Sequence, residues 1–347
     1  MSDESRAKSI KWYRTPIEPD LLKALYRRSD FKAAIQTLGY LGIVTATALS
    51  VLYSASHWPW YATVALLLLH GTCYAFMING VHELGHDTVF KTRWLNVLFV
   101  HIMAFLGWIN HRLFEASHVR HHRSTLHPPD DLEVVVPIKI TWPDFKRTAI
   151  VNPMGIVHVI KFHARVMRGQ FQGDWELKLF PESNPERRKY VSSWARTLLI
   201  GHALLLVTSL VLHIWLLPVL ISLAPFYGGW LFFLCNNTQH VGLQDNSTDF
   251  RVCCRTFLLN PVPRFLYWQM NYHIEHHMYP GVPCYNLAQL RMAIEYDLPP
   301  APQGIAATWR EISDVLKRQA AEPGYQYQPA LPANNTEVLG NLQEAAT

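Results

Sequence analysis

Residues 33 to 80 contain no Lys, Arg, Asp or Glu, and residues 197 to 250 contain no Lys or Arg. A chain folded in water spreads its charge, so two such blocks in one sequence call for an apolar solvent. A helix needs about 20 apolar residues to cross the hydrocarbon core of a bilayer, and each block has room for two such runs and a turn. The sequence predicts spans near 34–55 and 59–80, joined at Ser54-Ala-Ser-His-Trp-Pro59, and near 197–216 and 219–237, joined around Leu217-Pro218.

Cations fill the remaining segments. Arg6, Lys8, Lys11, Arg14, Lys23, Arg27, Arg28 and Lys32 precede the first block, and neither turn carries any. By the positive-inside rule the N-terminal segment 1–32, the long loop 81–196 and the C-terminal region 238–320 lie in the cytoplasm, in a bacterial inner membrane or the endoplasmic reticulum. The net charge of +5 is then a matter of topology and needs no nucleic-acid partner. The first 32 residues are too long and charged for a cleaved signal, so the first span is expected to be an uncleaved anchor. Within the long loop, 94–110 is apolar but marginal for a crossing and is expected to lie in the interface or to dip in and return. Residues 286–320 read as a helix pair and 321–347, rich in Ala, Pro and Asn, as a disordered tail. The five cysteines are odd in number and scattered, which does not describe a disulfide framework.

The histidines carry the chemical signal. His273, His276 and His277 stand at i, i+3 and i+4 in Asn-Tyr-His-Ile-Glu-His-His, so on a helix their rings share one face. His118, His121 and His122 repeat that spacing, and His82 and His86 form a related pair in His-Glu-Leu-Gly-His. Neutral imidazole suits iron, zinc and copper, and these eight side chains are too many for one four-coordinate zinc. They fit two metals. For the three sets to share a site, segment 94–110 must not cross the bilayer. Glu83, Asp87, Glu115, Asp130, Asp131 and Glu275 are candidates to orient the rings. His57, His70, His101, His202 and His213 read as polar residues of the membrane boundary, and His111, His127, His158 and His163 lack ligand spacing.

Two other readings compete. His82-Glu83-Leu84-Gly85-His86 matches the zinc-protease pattern in which the Glu is the general base, but a protease has no need of the other two clusters. A metal transporter should line a transmembrane path with its ligands, whereas these gather on one side.

The order HxxxH, HxxHH about thirty residues on, a spacer with two spans, then HxxHH near the C-terminus resembles the membrane fatty acid desaturase superfamily. Asn236-Asn-Thr-Gln-His240 is similar to an element found after the fourth span of acyl-CoA desaturases. The resemblance implies an all-α integral membrane fold of four transmembrane helices in two hairpins, with a cytoplasmic helical cap holding a di-metal histidine site. It implies that His82, His86, His118, His121, His122, His240, His273, His276 and His277 ligate two Fe ions, with Asn236 holding a water at the metal. The implied reaction uses O2 to put a double bond into a fatty-acyl chain of a membrane lipid or an acyl thioester. A hydroxylase or ketolase acting on a lipid or carotenoid is the nearest rival. Box one has three residues between its histidines where many acyl-CoA desaturases have four. No cytochrome b5 domain is fused to the chain, so electrons are expected from a separate cytochrome b5-like or ferredoxin-like donor.

Overall fold

A computed structural model of the chain describes residues 10–333. Arg6 and Lys8 of the basic lead, and 334–347 of the expected tail, lie outside them. Every element of more than one residue pair among the described residues is helical; β-structure is limited to isolated bridges.

Residues 10–17 run as an extended strap into α1 (Pro19–Leu25), which the Glu18 carboxylate caps by accepting from the N–H groups of Asp20 and Leu21. Ser29 caps α2 (Asp30–His57), and Pro59 starts α3 (Trp60–Tyr74) after a tight turn. At 28 residues, α2 is about 42 Å long, more than the roughly 30 Å of hydrocarbon in a bilayer. It turns Leu38, Leu49, Leu52 and Tyr53 outward. Apolar packing gains nothing where the surroundings are equally apolar, so polar ties matter: Ser54 Oγ donates to Thr63 Oγ1 at 3.0 Å, and Tyr40 OH to the Cys73 carbonyl at 3.0 Å. After a one-turn break the path continues as α4 (Met77–Gly85), which delivers His82 and His86.

The next helix, α5 (Arg93–Leu106), packs back along α4 and ends at Trp108, whose φ of 56° lets Ile109 N–H reach the Ala104 carbonyl. The chain then bends by 109° into α6 (His111–Ser124), capped by Asn110. That bend keeps 94–110 from separating boxes one and two. Short helices follow: α7 (Trp142–Ala149), α8 (Pro153–Val166) and α9 (Gly173–Leu179).

The second apolar block departs from expectation at both ends. The helix α10 (Pro185–Val211) starts at the Asn184 cap, well before 197, because a good cap extends a helix beyond its apolar stretch. It stops before Pro218, since His213 adopts φ 57° and Ile214 N–H bonds the Ser209 carbonyl. The predicted span 219–237 is not one helix. It is α11 (Leu216–Leu220), a 3-10 turn at Ala224–Phe226 and α12 (Trp230–Asn236), interrupted by Pro225 and Gly228-Gly229.

Such a broken path leaves carbonyls without helical partners, and side chains of α3 and of the α5–α6 bend take them. His70 Nε2 lies 2.9 Å from Leu220 O, Trp108 Nε1 donates to Ser222 O at 2.8 Å, and Thr72 Oγ1 to Gly228 O at 2.9 Å. His202 contacts Ser222 Oγ at 2.8 Å. His70 and His202 are therefore buried inside the helix bundle, bonded to the broken path. Gly228 has φ +68°, and a Cβ there would meet Leu68 O at 2.6 Å; only glycine lets the return path lie this close to α3.

Three helical paths, α2, Trp60–Gly85 and α10, are long and apolar enough to cross a membrane, with the bent α5–α6 pair as a conditional fourth. Beyond them, α13 (Phe250–Cys253), α14 (Pro261–Leu266), α15 (His273–Met278), α16 (Leu287–Ile294) and α17 (Gly304–Ala321) fold against the histidines around buried Phe257, Tyr267, Trp268 and Met278. The expected pair in 286–320 is α16 and α17. Part of the expected disordered tail is held: Tyr327 N–H bonds Gly242 O at 2.7 Å, and Gln326 bonds Asp245.

Candidate di-metal centre

Each box sits where a helix brings its rings to one point. Box one closes α4, box two fills the last turns of α6, and box three is most of α15. That last helix is short and wholly buried. Glu275 anchors it by accepting from Thr256 Oγ1 and from Arg291 Nη1 at 2.8 Å, while Thr256 Oγ1 accepts from Ile274 N–H.

The nine histidines expected from sequence fall into two groups. His82, His86, His118, His122 and His276 form group one, and His121, His240, His273 and His277 group two; within each, the candidate ligand atoms lie within 4.8 Å of one another. Boxes two and three each divide between the groups, because neighbouring residues on a helix diverge by about 100°. His240 comes from the turn after α12. Asn236 closes α12, half-buried, and among the described residues its side chain makes no hydrogen bond to either group.

Oxygen atoms behind the rings decide which nitrogen faces inward. His82 Nδ1 donates to Glu83 Oε1 (2.9 Å), His118 Nδ1 to Glu133 Oε1 (2.9 Å), His121 Nδ1 to Asp131 Oδ2 (2.8 Å) and His240 Nδ1 to the Cys253 carbonyl (2.8 Å). Thr125 spends its hydroxyl proton on His121 O, so its oxygen accepts from His277 Nδ1 at 3.2 Å. With the proton on Nδ1, each of these rings presents a bare Nε2 lone pair. Those lone pairs converge: His118 and His122 Nε2 are 2.9 Å apart, His240 and His273 Nε2 2.9 Å, and His122 and His276 Nε2 3.1 Å. His82, His86 and His277 Nε2 are buried with no partner. Lone pairs facing one another at such distances repel unless a cation lies between them. Two nitrogens about 2.1 Å from one ion and at right angles would be about 3.0 Å apart, so the donor set fits a metal in each group.

Burial is the main reason most of these rings stay neutral and ready to bind; His121 is the exception, where burial works against the charge but the bond to Asp131 and the Glu133 and Asp131 charges raise it. Burial pushes His240 down to about 3 and holds His273, His276 and His277 well below the usual histidine range, neighbouring rings adding to the effect. Burial works against the Asp131 carboxylate too, yet the His121 bond and the N–H groups of Leu126 and Glu133 carry it below its ordinary value. Glu133, with fewer such partners, is raised by burial.

Of the acids weighed from sequence, Glu83 and Asp131 do contact histidines. Glu275 anchors α15, Asp87 pairs with Arg93 and Asn96, and Asp130 with Lys178. Glu133 was not foreseen, although the acidic run that holds Asp130 and Asp131 was the signal for it. Glu83 is spent on His82 Nδ1, away from the inward nitrogen, which is not the position of a protease general base. His111 and His127 belong to neither group: His111 packs tilted against His101 and edge-on to Trp194, and His127 bonds Thr125 O.

A cavity of about 300 Å3 opens on group one, lined by His82, His86 and His118 and by Val81, Leu84, Val97, Val100, Phe114 and Val119. Phe114, stacked on His118 at 5.1 Å, separates it from a second space of about 280 Å3 bounded by Trp108, Leu113, Val159 and Phe162.

Comparison with curated proteins returns no match. The family model described as fatty acid desaturase matches residues 56–309, which takes in all three boxes, His240, the second apolar block and the part of the first from residue 56 on. The chain is a membrane protein that belongs to the fatty acid desaturase family.

Proposed function

We propose that the protein is an O2-dependent di-iron desaturase that introduces a double bond into a fatty-acyl chain of a membrane lipid or acyl thioester, with electrons from a separate carrier. The observation that carries this reading is the pair of histidine groups beside an apolar cavity. Two irons held by the nine histidines would supply the oxidising power that no side chain has, using O2 to remove hydrogen from an unactivated C–H bond. In balance, a CH2–CH2 unit, O2, two electrons and two protons give an alkene and two waters.

The protein's own part is placement. Glu83, Asp131, Glu133 and the Cys253 carbonyl keep a proton on each Nδ1 and so keep Nε2 free. Val81, Leu84, Val97 and Val100 give an acyl chain an apolar bed and exclude water, and Phe114 blocks its way past His118. Asn236, at the end of α12, is the residue we assign to hold a water near the metals.

The topology we propose has four crossings: α2, α3–α4, α10 and the broken return arm 216–236. It is supported by His121 and His240 belonging to one group although one precedes α10 and the other follows it. At 27 residues, α10 is about 40 Å long, so the chain has to come back across to reach that group. The charge pattern puts the groups on the cytoplasmic side, with α5 in the interface.

The test joins metal analysis of the purified protein to a lipid profile of cells expressing it. About two irons per chain, one per group, and new double bonds are expected. New hydroxyl or keto groups would move the assignment to the hydroxylase or ketolase reaction, and one zinc per chain with unchanged lipids would end the oxygenase reading.

A further inference from the structure

The cavity of about 300 Å3 opens on group one; the outer side of group two lies under the N-terminal strap. The strap is fixed at several points: Tyr13 N–H bonds Thr248 O at 2.8 Å, Thr15 N–H contacts Met278 Sδ at 3.2 Å, and Tyr279 OH donates to Thr15 O at 2.6 Å. At its outer end Trp12 is half-buried, and its Nε1 donates to Arg123 O at 3.0 Å. The indole stacks on Phe250 with ring centroids 4.1 Å apart and planes within 11°. Phe250, fully buried, meets His277 with centroids 5.4 Å apart. A packed aromatic ladder thus runs from the surface to a histidine of group two in two short steps.

The surface around Trp12 has a matching charge. Lys11, Arg14 and Arg123 are exposed and form no ion pair among the described residues. The acids on the same edge, Asp249 and Asp297, share the one guanidinium of Arg251 at 2.7 and 2.5 Å, which leaves this cluster a single net negative charge. The result is an aromatic spot on segments with three exposed cations, Lys11, Arg14 and Arg123, against one net negative charge left in the Asp249–Arg251–Asp297 cluster.

We propose that Trp12 and Phe250 are the electron entry port of the enzyme, and that Lys11, Arg14 and Arg123 dock an acidic one-electron carrier protein there. The proposal rests on the di-iron reading above. At each docking the carrier is oxidised by one electron and the metal site reduced by one; two such events supply the electrons of one turnover. Tunnelling falls off exponentially with distance, and this face offers the carrier a close, packed approach. Like-with-unlike charge steers the encounter and makes it depend on salt. The lipid and the carrier then approach from different sides and do not compete.

The test uses the purified full-length iron protein, anaerobic and oxidised, and follows the reoxidation of three reduced donors by stopped flow: a plant-type [2Fe–2S] ferredoxin, a soluble cytochrome b5 haem domain, and the methyl viologen radical. No lipid substrate is required. The triple variant Lys11→Glu, Arg14→Glu, Arg123→Glu is expected to lower the ratio of carrier-driven to viologen-driven rate by about tenfold at low salt, and to flatten its salt dependence. Trp12→Leu should lower that ratio with iron content unchanged, and Trp12→Phe, which keeps a stacked ring, should restore most of it. Rates that fall in proportion for carriers and viologen, or a ratio indifferent to the three charges, would overturn the port. So would a wild-type protein that viologen reduces and neither acidic carrier does. A protein without iron that oxidises no viologen sinks the parent reading, and this one with it.

Discussion

The two histidine groups use the same ligand chemistry in opposite surroundings. Group one borders an open, mainly apolar cavity, and His86 and His122 keep some exposure; all four rings of group two are buried behind Phe250 and the strap. On the reading proposed above, the group beside the cavity is the one that would meet the acyl chain and the other the one kept from it, an open side and a closed side. The comparison can be broken experimentally in four ways.

The largest effect is expected from deleting a ring. His86→Ala and His273→Ala should each abolish turnover and lower iron from about two per chain to about one. The difference lies in rescue: added imidazole can enter the cavity and restore part of the His86→Ala activity, but has no route to the hole left by His273→Ala. Equal rescue of both would remove the distinction between an open and a closed side.

Next come the carboxylates behind the rings. Removing such a partner commonly costs about 10- to 100-fold in metal affinity. Asp131→Asn should lie at the upper end, because Asp131 is fully buried and also accepts from Leu126 and Glu133 N–H. Glu133→Gln should lie at the lower end, since its carboxylate is one-fifth exposed. Chelator competition measures both, and the reverse order would mean that the closed side tolerates the loss of its partners better than the open side.

Phe114→Ala should join the two spaces of about 300 and 280 Å3 and change which bond is oxidised or which chain length is accepted, while iron content stays the same. Product analysis by mass spectrometry reads this directly. Thr125→Val should have the smallest effect, about 1 kcal/mol or less in metal affinity, because the bond to His277 is long at 3.2 Å; titration with Fe(II) would show it. A large loss would mean that group two depends on this hydroxyl more than its length implies.

Much of the site was legible in the sequence because a helix converts spacing into direction. The i, i+3, i+4 pattern of His118/His121/His122 and His273/His276/His277 was enough to foresee convergence, and the resemblance added His240. What could not be read was the division of the rings, since the assignment of His276 to group one and His277 to group two depends on how α15 lies against α6. Glu133 was missed because its approach to His118 is made by a loop that carries no periodicity. In the fold, the first apolar block forms helices over nearly the expected ranges, with a one-turn break between Tyr74 and Met77. The second does not, because hydropathy reports that a segment is apolar and says nothing about whether Pro225 and Gly228-Gly229 let it be one helix.

That broken return arm has a consequence for biosynthesis. A peptide with unmatched carbonyls cannot be left by itself in hydrocarbon, and here the matching groups, His70, Thr72, Trp108 and His202, belong to segments translated earlier. On the four-crossing topology proposed above, the return arm would therefore be completed against segments made before it. Substitutions at His70 or Thr72, far from any metal ligand, should show up as chains that are made but never mature.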